Sequence, residues 1–303
     1  MITVRVPATT ANLGPGFDVL GLALSLYNFV EMELREQGLE IEISGEGKDI
    51  ISQDTENIVY KAAQSVWKKC GFQCKGLYIK LVNNIPLARG LGSSAAAIIG
   101  GMLAANALAG NPLSNEELLI LATQLEGHPD NVAPALFGGL VISNYENGKM
   151  LTHRIVVNNS VHIIATVPDF QLPTKLAREL LPEFVSIEDA AFNLSRISFL
   201  VTAFITGNYQ LLRIGMEDKL HQPYRSKLIP GLEAAFKNAK NAGALGVTLS
   251  GSGPTVVAFS TKSQELENIS LSMANAFQDF GINVSTQKLL PDNFGAKVVN
   301  GGF

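Results

Sequence analysis

Pro86-Leu87-Ala88-Arg89-Gly90-Leu91-Gly92-Ser93-Ser94-Ala95-Ala96-Ala97 passes from a glycine-punctuated loop into an alanine-rich run. Gly90 and Gly92 permit tight backbone with positive φ, so successive amides can converge on an anion. Ser93 and Ser94 stand where a helix starts, and a helix start offers unpaired N–H groups and partial positive charge to a phosphate. The alanines behind them let the backbone pack closely. Taken alone, the segment fits either a phosphate cradle or an ordinary Gly/Ser helix start. No charged residue occurs from Gly90 to Asn115. Its Ala/Gly composition, its Asn106 and its stop at Asn111-Pro112 predict a helix buried inside a globular domain rather than a membrane span.

Several phosphate-binding classes are excluded by spacing. The Gly-Lys pairs at 47–48 and 148–149 lack the hydroxyl residue and upstream glycine of a P-loop. Protein-kinase signatures are absent. The run from Gly90 to Ala95 matches GxGxxA, the dinucleotide fingerprint. However, the preceding strand ends too far upstream, and no acidic residue follows at the right distance.

Working outward, the chain has 303 residues, of which 47% are hydrophobic and 17% charged, the balance of a compact fold rather than a disordered one. The net charge of -4 argues against a broad nucleic-acid or anionic-membrane surface. Short strands are predicted at 2–7, 22–34 (interrupted near Tyr27-Asn28), 39–44, 77–82, 137–145, 162–167, 255–260 and 283–289, the last one in the chain. Helices are predicted at 57–70, 95–109, 114–125, 174–181, 187–206, 209–216, 232–242 and 263–280. Ser114 and Glu117 form a capping box, and Ala8–Gly21 reads as a loop. The pattern is α+β in both halves, with a boundary near 150–165. Cys70 and Cys74 are expected as reduced thiols, since no second Cys/His cluster accompanies them. The opening residues lack a secretory pattern, so a cytoplasmic protein is expected.

Two further segments complete a pattern. Pro7–Asp18 is a loop holding Asn12 and Asp18 among backbone-shaping residues, and Leu249–Thr255 is a second glycine-rich turn. In order with 86–97, they resemble the three signature motifs of the GHMP small-molecule kinases. The segments PATTANLGPGFDVLGLAL at 7–24, GHPDNVAPALFGG at 127–139, PTKLAR at 173–178 and HQPYR at 221–225 narrow the resemblance to the homoserine kinases of that family.

The resemblance implies a two-domain GHMP kinase fold. Its N-terminal domain (1–158, ATP-binding) would resemble domain 2 of ribosomal protein S5 with a left-handed βαβ unit, and its C-terminal domain (159–303) would be ferredoxin-like. It implies ATP-dependent phosphorylation of L-homoserine, with Mg²⁺ and a homodimer. By residue, Pro86–Ala96 would wrap the triphosphate, and Ser94 and Glu126 would hold Mg²⁺. Arg178 and Arg225 would bind the substrate carboxylate, which guanidinium grips bidentately. Asp18 and Asp130 would take the ammonium or the hydroxyl, oriented by Asn12 and Asn131, with His128 lining the same pocket. Asp130 and Asn12 are the expected catalytic pair. Asn57 or its neighbours are candidates for the adenine.

One departure from the family is expected to matter. Mevalonate and galactose kinases carry a lysine in the first motif beside an aspartate base, whereas this chain has Thr9 and Thr10 there. Asp130 is therefore expected to orient the hydroxyl, with proton loss late or direct to phosphate. The alternatives at this stage are the same fold acting on another hydroxylated metabolite, and a ligand sensor without chemistry. A nucleic-acid binder would need a basic stripe that the chain lacks.

Overall fold

The computed structural model of the chain describes residues 1–299. Its first layer is a seven-stranded sheet containing β1 (Ile2–Ala11), β2 (Leu20–Arg35), β3 (Gly38–Gly45), β4 (Gly76–Asn83), β5 (Leu140–Glu146), β6 (Lys149–Ile155) and β11 (Lys297–Val299). The order is β11-β1-β2-β4-β3, with β5 pairing β2 and β6. The β3–β4 pair is parallel and the other pairs are antiparallel. The crossover between β3 and β4 runs through α1 (Ile58–Cys70). Asn57 caps α1 by accepting from Val59 N, and is itself 1% exposed, so this candidate for the adenine is used inside the fold.

The predicted loop at Ala8–Gly21 is shorter than the sequence suggests, because β1 continues to Ala11. Thr9 and Thr10 read as loop residues by polarity, yet both are buried, and β-branched side chains suit a strand once their hydroxyls are bonded. The expected break near Tyr27-Asn28 is a bulge: the register jumps between Pro7↔Tyr27 and Ala8↔Leu24. Between β5 and β6, Asn147 and Gly148 take φ of 52° and 76°, as a tight hairpin turn requires.

Four helices cover this sheet: α1, α2 (Ser93–Leu108), α3 (Asn115–Glu126) and α4 (Pro129–Phe137). Most of the α2 helix is buried, as its composition predicts, but Ser94 in its first turn is exposed and Ala97, Leu103, Ala107 and Leu108 are only partly covered. At Gly101, a Cβ would lie 2.6 Å from the Val59 carbonyl oxygen, so glycine lets α2 approach α1 closely. Trp67 seals that contact by donating its indole N–H to the Ala105 carbonyl at 3.0 Å. The capping box forms between Ser114 and Glu117. The helix α4 was not expected; Pro129 at its first position supplies the fixed φ that starts it.

The second layer is a four-stranded antiparallel sheet of β7 (His162–Pro168), β8 (Gly246–Leu249), β9 (Val256–Ser260) and β10 (Val284–Leu289), in the order β10-β7-β9-β8. That order is the ferredoxin-like βαββαβ arrangement. Its helices are α5 (Thr174–Glu179), α6 (Ile187–Thr206), α7 (Leu212–Gly215), α8 (Gln222–Arg225), α9 (Leu232–Asn241) and α10 (Leu266–Gln278). One buried cluster runs from the first sheet through Phe204, Leu212 and Phe259 of the second, and a smaller one lies under α9 and α10. The chain does not end at β10. It returns to the first sheet, where Asp292 accepts from Tyr27 Oη and from the amides of Phe294 and Gly295, and β11 pairs with β1.

Candidate active site

Loops from both layers converge on one cleft: 12–18 after β1, 86–92 before α2, the α3–α4 junction, α5, α8 and the β8–β9 turn. The loop before α2 is held rigidly. Leu172 N donates to the Ala88 carbonyl at 3.1 Å, the Ser250 hydroxyl donates to the Gly90 carbonyl at 2.6 Å, and Thr255 N donates to the Arg89 carbonyl at 3.3 Å. Arg89 itself turns to the second layer, with Nη2 2.8 Å from Asp169 and Nε 3.1 Å from the Pro168 carbonyl.

Gly92 is the cap of α2, with φ of 70° and no side-chain capping bond. A Cβ there would lie 1.9 Å from Thr9 Oγ1. Only glycine admits this turn, and the turn directs the leading N–H groups of α2 into the cleft, where an anion would sit.

On the facing wall, the Ser94 hydroxyl donates to Glu126 Oε2 at 2.7 Å. Burial pushes the Glu126 carboxyl up, and the Ser94 hydrogen bond offsets part of that rise. Two residues on, His128 Nδ1 lies 2.7 Å from Asp130 Oδ1. Burial alone would lower the His128 pKa, but the hydrogen bond and charge of Asp130 outweigh it and hold it above the ordinary value. Asp130 is 2% exposed and also accepts from Asn131 Nδ2 at 3.3 Å. Asn131 is oriented in turn by the Thr9 hydroxyl, which donates to its Oδ1 at 2.7 Å.

At the other end, Arg178 and Asp18 form a two-pronged ion pair. The Asp18 hydrogen bond holds the Arg178 guanidinium above its ordinary pKa. Arg225 is different. It is 1% exposed, and its hydrogen-bond partners among the described residues are the Gly251 carbonyl at 3.0 Å, His221 Nδ1 at 3.1 Å and the Ala177 carbonyl at 3.4 Å, none of them a carboxylate. Burial first, and the charge of Arg178 second, depress its pKa to about 10. Both guanidinium groups lie over the Phe17 ring, 5.5 and 5.3 Å from its centre.

Of the residues singled out from sequence, Asn12, Asp18, Pro86, Ala88–Ser94, Glu126, His128, Asp130, Asn131, Arg178 and Arg225 line this one cleft. Leu87, Ala95 and Ala96 do not. The two alanines are fully buried, and Leu87 points at Gly47. Asn12 braces two loops, donating to the Gly251 carbonyl at 3.0 Å and accepting from Asp18 N at 3.0 Å. Sequence reasoning missed Thr174, Ser252 and His221. All three fall inside quoted motifs, but the motifs carry residue types and not the contacts that give them roles.

Residues 57–139 match the family of GHMP kinases N terminal domains, and residues 200–279 match that of GHMP kinases C terminal domains. The chain is 48% identical to the homoserine kinase of Carboxydothermus hydrogenoformans, over 98% of this chain and 96% of that protein. It is also 48% identical to the homoserine kinase of Moorella thermoacetica, over 99% and 100% of the two chains. Among solved structures, a homoserine kinase from Cytophaga hutchinsonii superposes with a TM-score of 0.89 at 32% identity, covering 98% of this chain and 97% of that one. The cleft, the fold and these full-length similarities agree: the chain belongs to the GHMP kinases, within their homoserine kinase branch.

Proposed function

We propose that L-homoserine lies in the cleft between Asp18, Asp130, Arg178 and Arg225, with the triphosphate of ATP over 86–94, so that the substrate hydroxyl faces the γ-phosphoryl group. The overall reaction is that of the family branch: ATP-dependent phosphorylation of L-homoserine to O-phospho-L-homoserine, a step toward threonine. The observation that carries the assignment of the cleft is Arg225, a buried guanidinium with no carboxylate among its hydrogen-bond partners in the described residues, beside a helix start suited to phosphate. A buried charge of that kind calls for a counter-ion, and the substrate carboxylate supplies one.

The zwitterion fits by exchange. Its carboxylate joins Arg178 and Arg225 while its ammonium joins Asp18, so the charges of the Asp18–Arg178 pair stay matched. Asp130, held by His128 and Asn131, fixes the hydroxyl for in-line attack. Phosphoryl transfer needs positioning and charge neutralisation more than covalent chemistry, and no lysine stands near Asp130 in the first motif to tune it as a base. The α2 amides and the close-packed loop around them hold the phosphates still.

Ser94 and Glu126 suit Mg²⁺. One carboxylate and one hydroxyl, already 2.7 Å apart, are hard oxygen donors of the kind Mg²⁺ combines with phosphate oxygens. No cluster of three or more acidic, His or Cys side chains able to hold a metal by itself occurs among the described residues. When bound, the ion would neutralise phosphate charge.

We take 1–158 and 159–303 as the two domains and the cytoplasm as the compartment. The gap between β6, ending at Ile155, and β7, starting at His162, supports the division, although β11 returns across it. No helix among the described residues is long and apolar enough to cross a membrane. A homodimer is supported by Phe184, Ile187, Leu194 and Ile205, which stand exposed on and before α6; sedimentation of an Ile187→Glu, Leu194→Glu variant tests it.

A coupled ADP-release assay with Mg·ATP tests the substrate, using L-homoserine, D-homoserine, L-serine, L-threonine, mevalonate and galactose. Strong turnover on L-homoserine alone is expected. Turnover on mevalonate or galactose would overturn the substrate, and ATP binding without turnover on any of them would point to a sensor.

A further inference from the structure

Among the described residues, Arg225 has one side-chain hydrogen-bond partner, beside the Phe17 ring under its guanidinium. Its Nη1 donates to His221 Nδ1 at 3.1 Å, and its other partners are backbone carbonyls. His221 is fully buried, and its Nε2 lies 2.8 Å from the Gly14 carbonyl, in the loop that carries Asn12 and Asp18. The two contacts require the same state of the ring. With the proton on Nε2 the ring donates to Gly14, and the lone pair on Nδ1 is free to accept from Arg225. A frame holds the ring in place. The Asp218 carboxylate accepts from the amides of Leu220, His221 and Gln222, and Asn193 of α6 donates to the same carboxylate at 2.8 Å.

We propose that neutral His221 is a positioning residue, fixing the Arg225 guanidinium against the loop of Asp18 and so setting the span between the two ends of an amino-acid substrate. This rests on the reading of Arg225 as the carboxylate clamp. The charged groups facing His221 are Asp218, 3.5 Å from Nε2, and Arg225, with Asp18 beyond them. Burial, with the charge of Arg225, keeps the imidazole below its ordinary pKa against the pull of Asp218. Protonation would turn an N–H toward the guanidinium and remove the acceptor.

The test compares steady-state kinetics of His221→Gln, His221→Asn, Arg225→Gln and the His221→Gln, Arg225→Gln double variant. Asn sets its Oδ1 near the site of Nδ1 and keeps the acceptor; Gln reaches toward Gly14 and loses it. His221→Gln should raise KM for L-homoserine about tenfold, the factor for one lost hydrogen bond to a charged group, with kcat and the KM for Mg·ATP little changed. His221→Asn should bring that KM back to within about threefold of the parent. In the Arg225→Gln background, His221→Gln should add nothing.

If Arg225→Gln leaves KM for homoserine untouched, the clamp reading fails, and this proposal with it. If Arg225→Gln raises KM while His221→Gln does not, or if the effect of His221→Gln persists in full without Arg225, the positioning role alone fails. Should the Gln variant not fold, His221→Leu takes its place, a side chain of similar bulk with no acceptor for Arg225 Nη1. Its homoserine KM should rise about tenfold while that of His221→Asn stays near the parent; an unchanged KM in His221→Leu overturns the proposal.

Discussion

Arg178 grips Asp18 through two parallel hydrogen bonds of 2.9 and 2.6 Å across 160 positions of sequence. The two side chains are 35% and 33% exposed, so water screens the pair and its contribution to stability is below about 1 kcal/mol. Its significance lies in binding. Asp18→Asn removes the only charge proposed for the substrate ammonium and leaves Arg178 unbalanced. The expected result is a KM for L-homoserine raised roughly 10- to 100-fold, with thermal stability and the KM for Mg·ATP close to the parent. Parallel rises in both KM values would mean that the pair shapes the whole cleft instead.

Asp130 is the second test. It is buried, and accepts from His128 and Asn131 while facing the place proposed for the hydroxyl. Asp130→Asn keeps the shape and removes the charge. If Asp130 positions, kcat should fall by about 10²-fold with an unchanged pH profile. A loss far above ~10⁴-fold together with a shifted profile would identify it as a true base. The pH dependence of kcat for parent and variant separates the two.

Much of this arrangement is legible in sequence because it is local. The loop-to-helix segment, the Ser114–Glu117 box and the 187–206 helix, with Ser186 and Gly207 at its ends, depend on neighbours within a few residues. What could not be read depends on distant partners. Thr9 and Thr10 look like loop residues until Asn131 and Ser250 are set beside them. The strand β11 has only Lys297–Val299 to announce it, and its partner is Thr3–Arg5 at the other end of the chain. The site shows the same divide. The resemblance gathers Asp18, Asp130, Arg178 and Arg225 as substrate contacts. It does not reveal that Asp18 and Arg178 pair with each other, or that His221 holds Arg225.

Gly92→Ala probes the phosphate end. The added methyl meets both a left-handed backbone and the Thr9 hydroxyl, which is itself locked to Asn131. A non-glycine residue held in that region costs about 1–3 kcal/mol. Relief would tilt the first turn of α2 away from the triphosphate. Denaturant unfolding should show the loss of stability, and kinetics should show the KM for Mg·ATP rising more than that for homoserine. A variant with unchanged ATP kinetics would remove the amides at 92–94 from the phosphate site.

The return of the chain to the first sheet can be tested through pH. Tyr27 donates to Asp292 at 2.8 Å; burial first, then that hydrogen bond and the Asp292 charge, push the Tyr27 phenol up to about 12. The folded pKa lies above the unfolded value, near 10. The contribution of Tyr27 is therefore complete below about pH 10 and is lost as pH rises toward 12, because the unfolded chain ionises first. Near neutral pH, Tyr27→Phe should cost about 1 kcal/mol, one hydrogen bond to a carboxylate that keeps the amides of Phe294 and Gly295. Above pH 10 the gap between parent and variant should narrow, since Phe has no proton to lose. Denaturant midpoints of both proteins between pH 7 and 11 check this, and a gap that stays constant would dissociate the 291–295 segment from the ionisation of Tyr27.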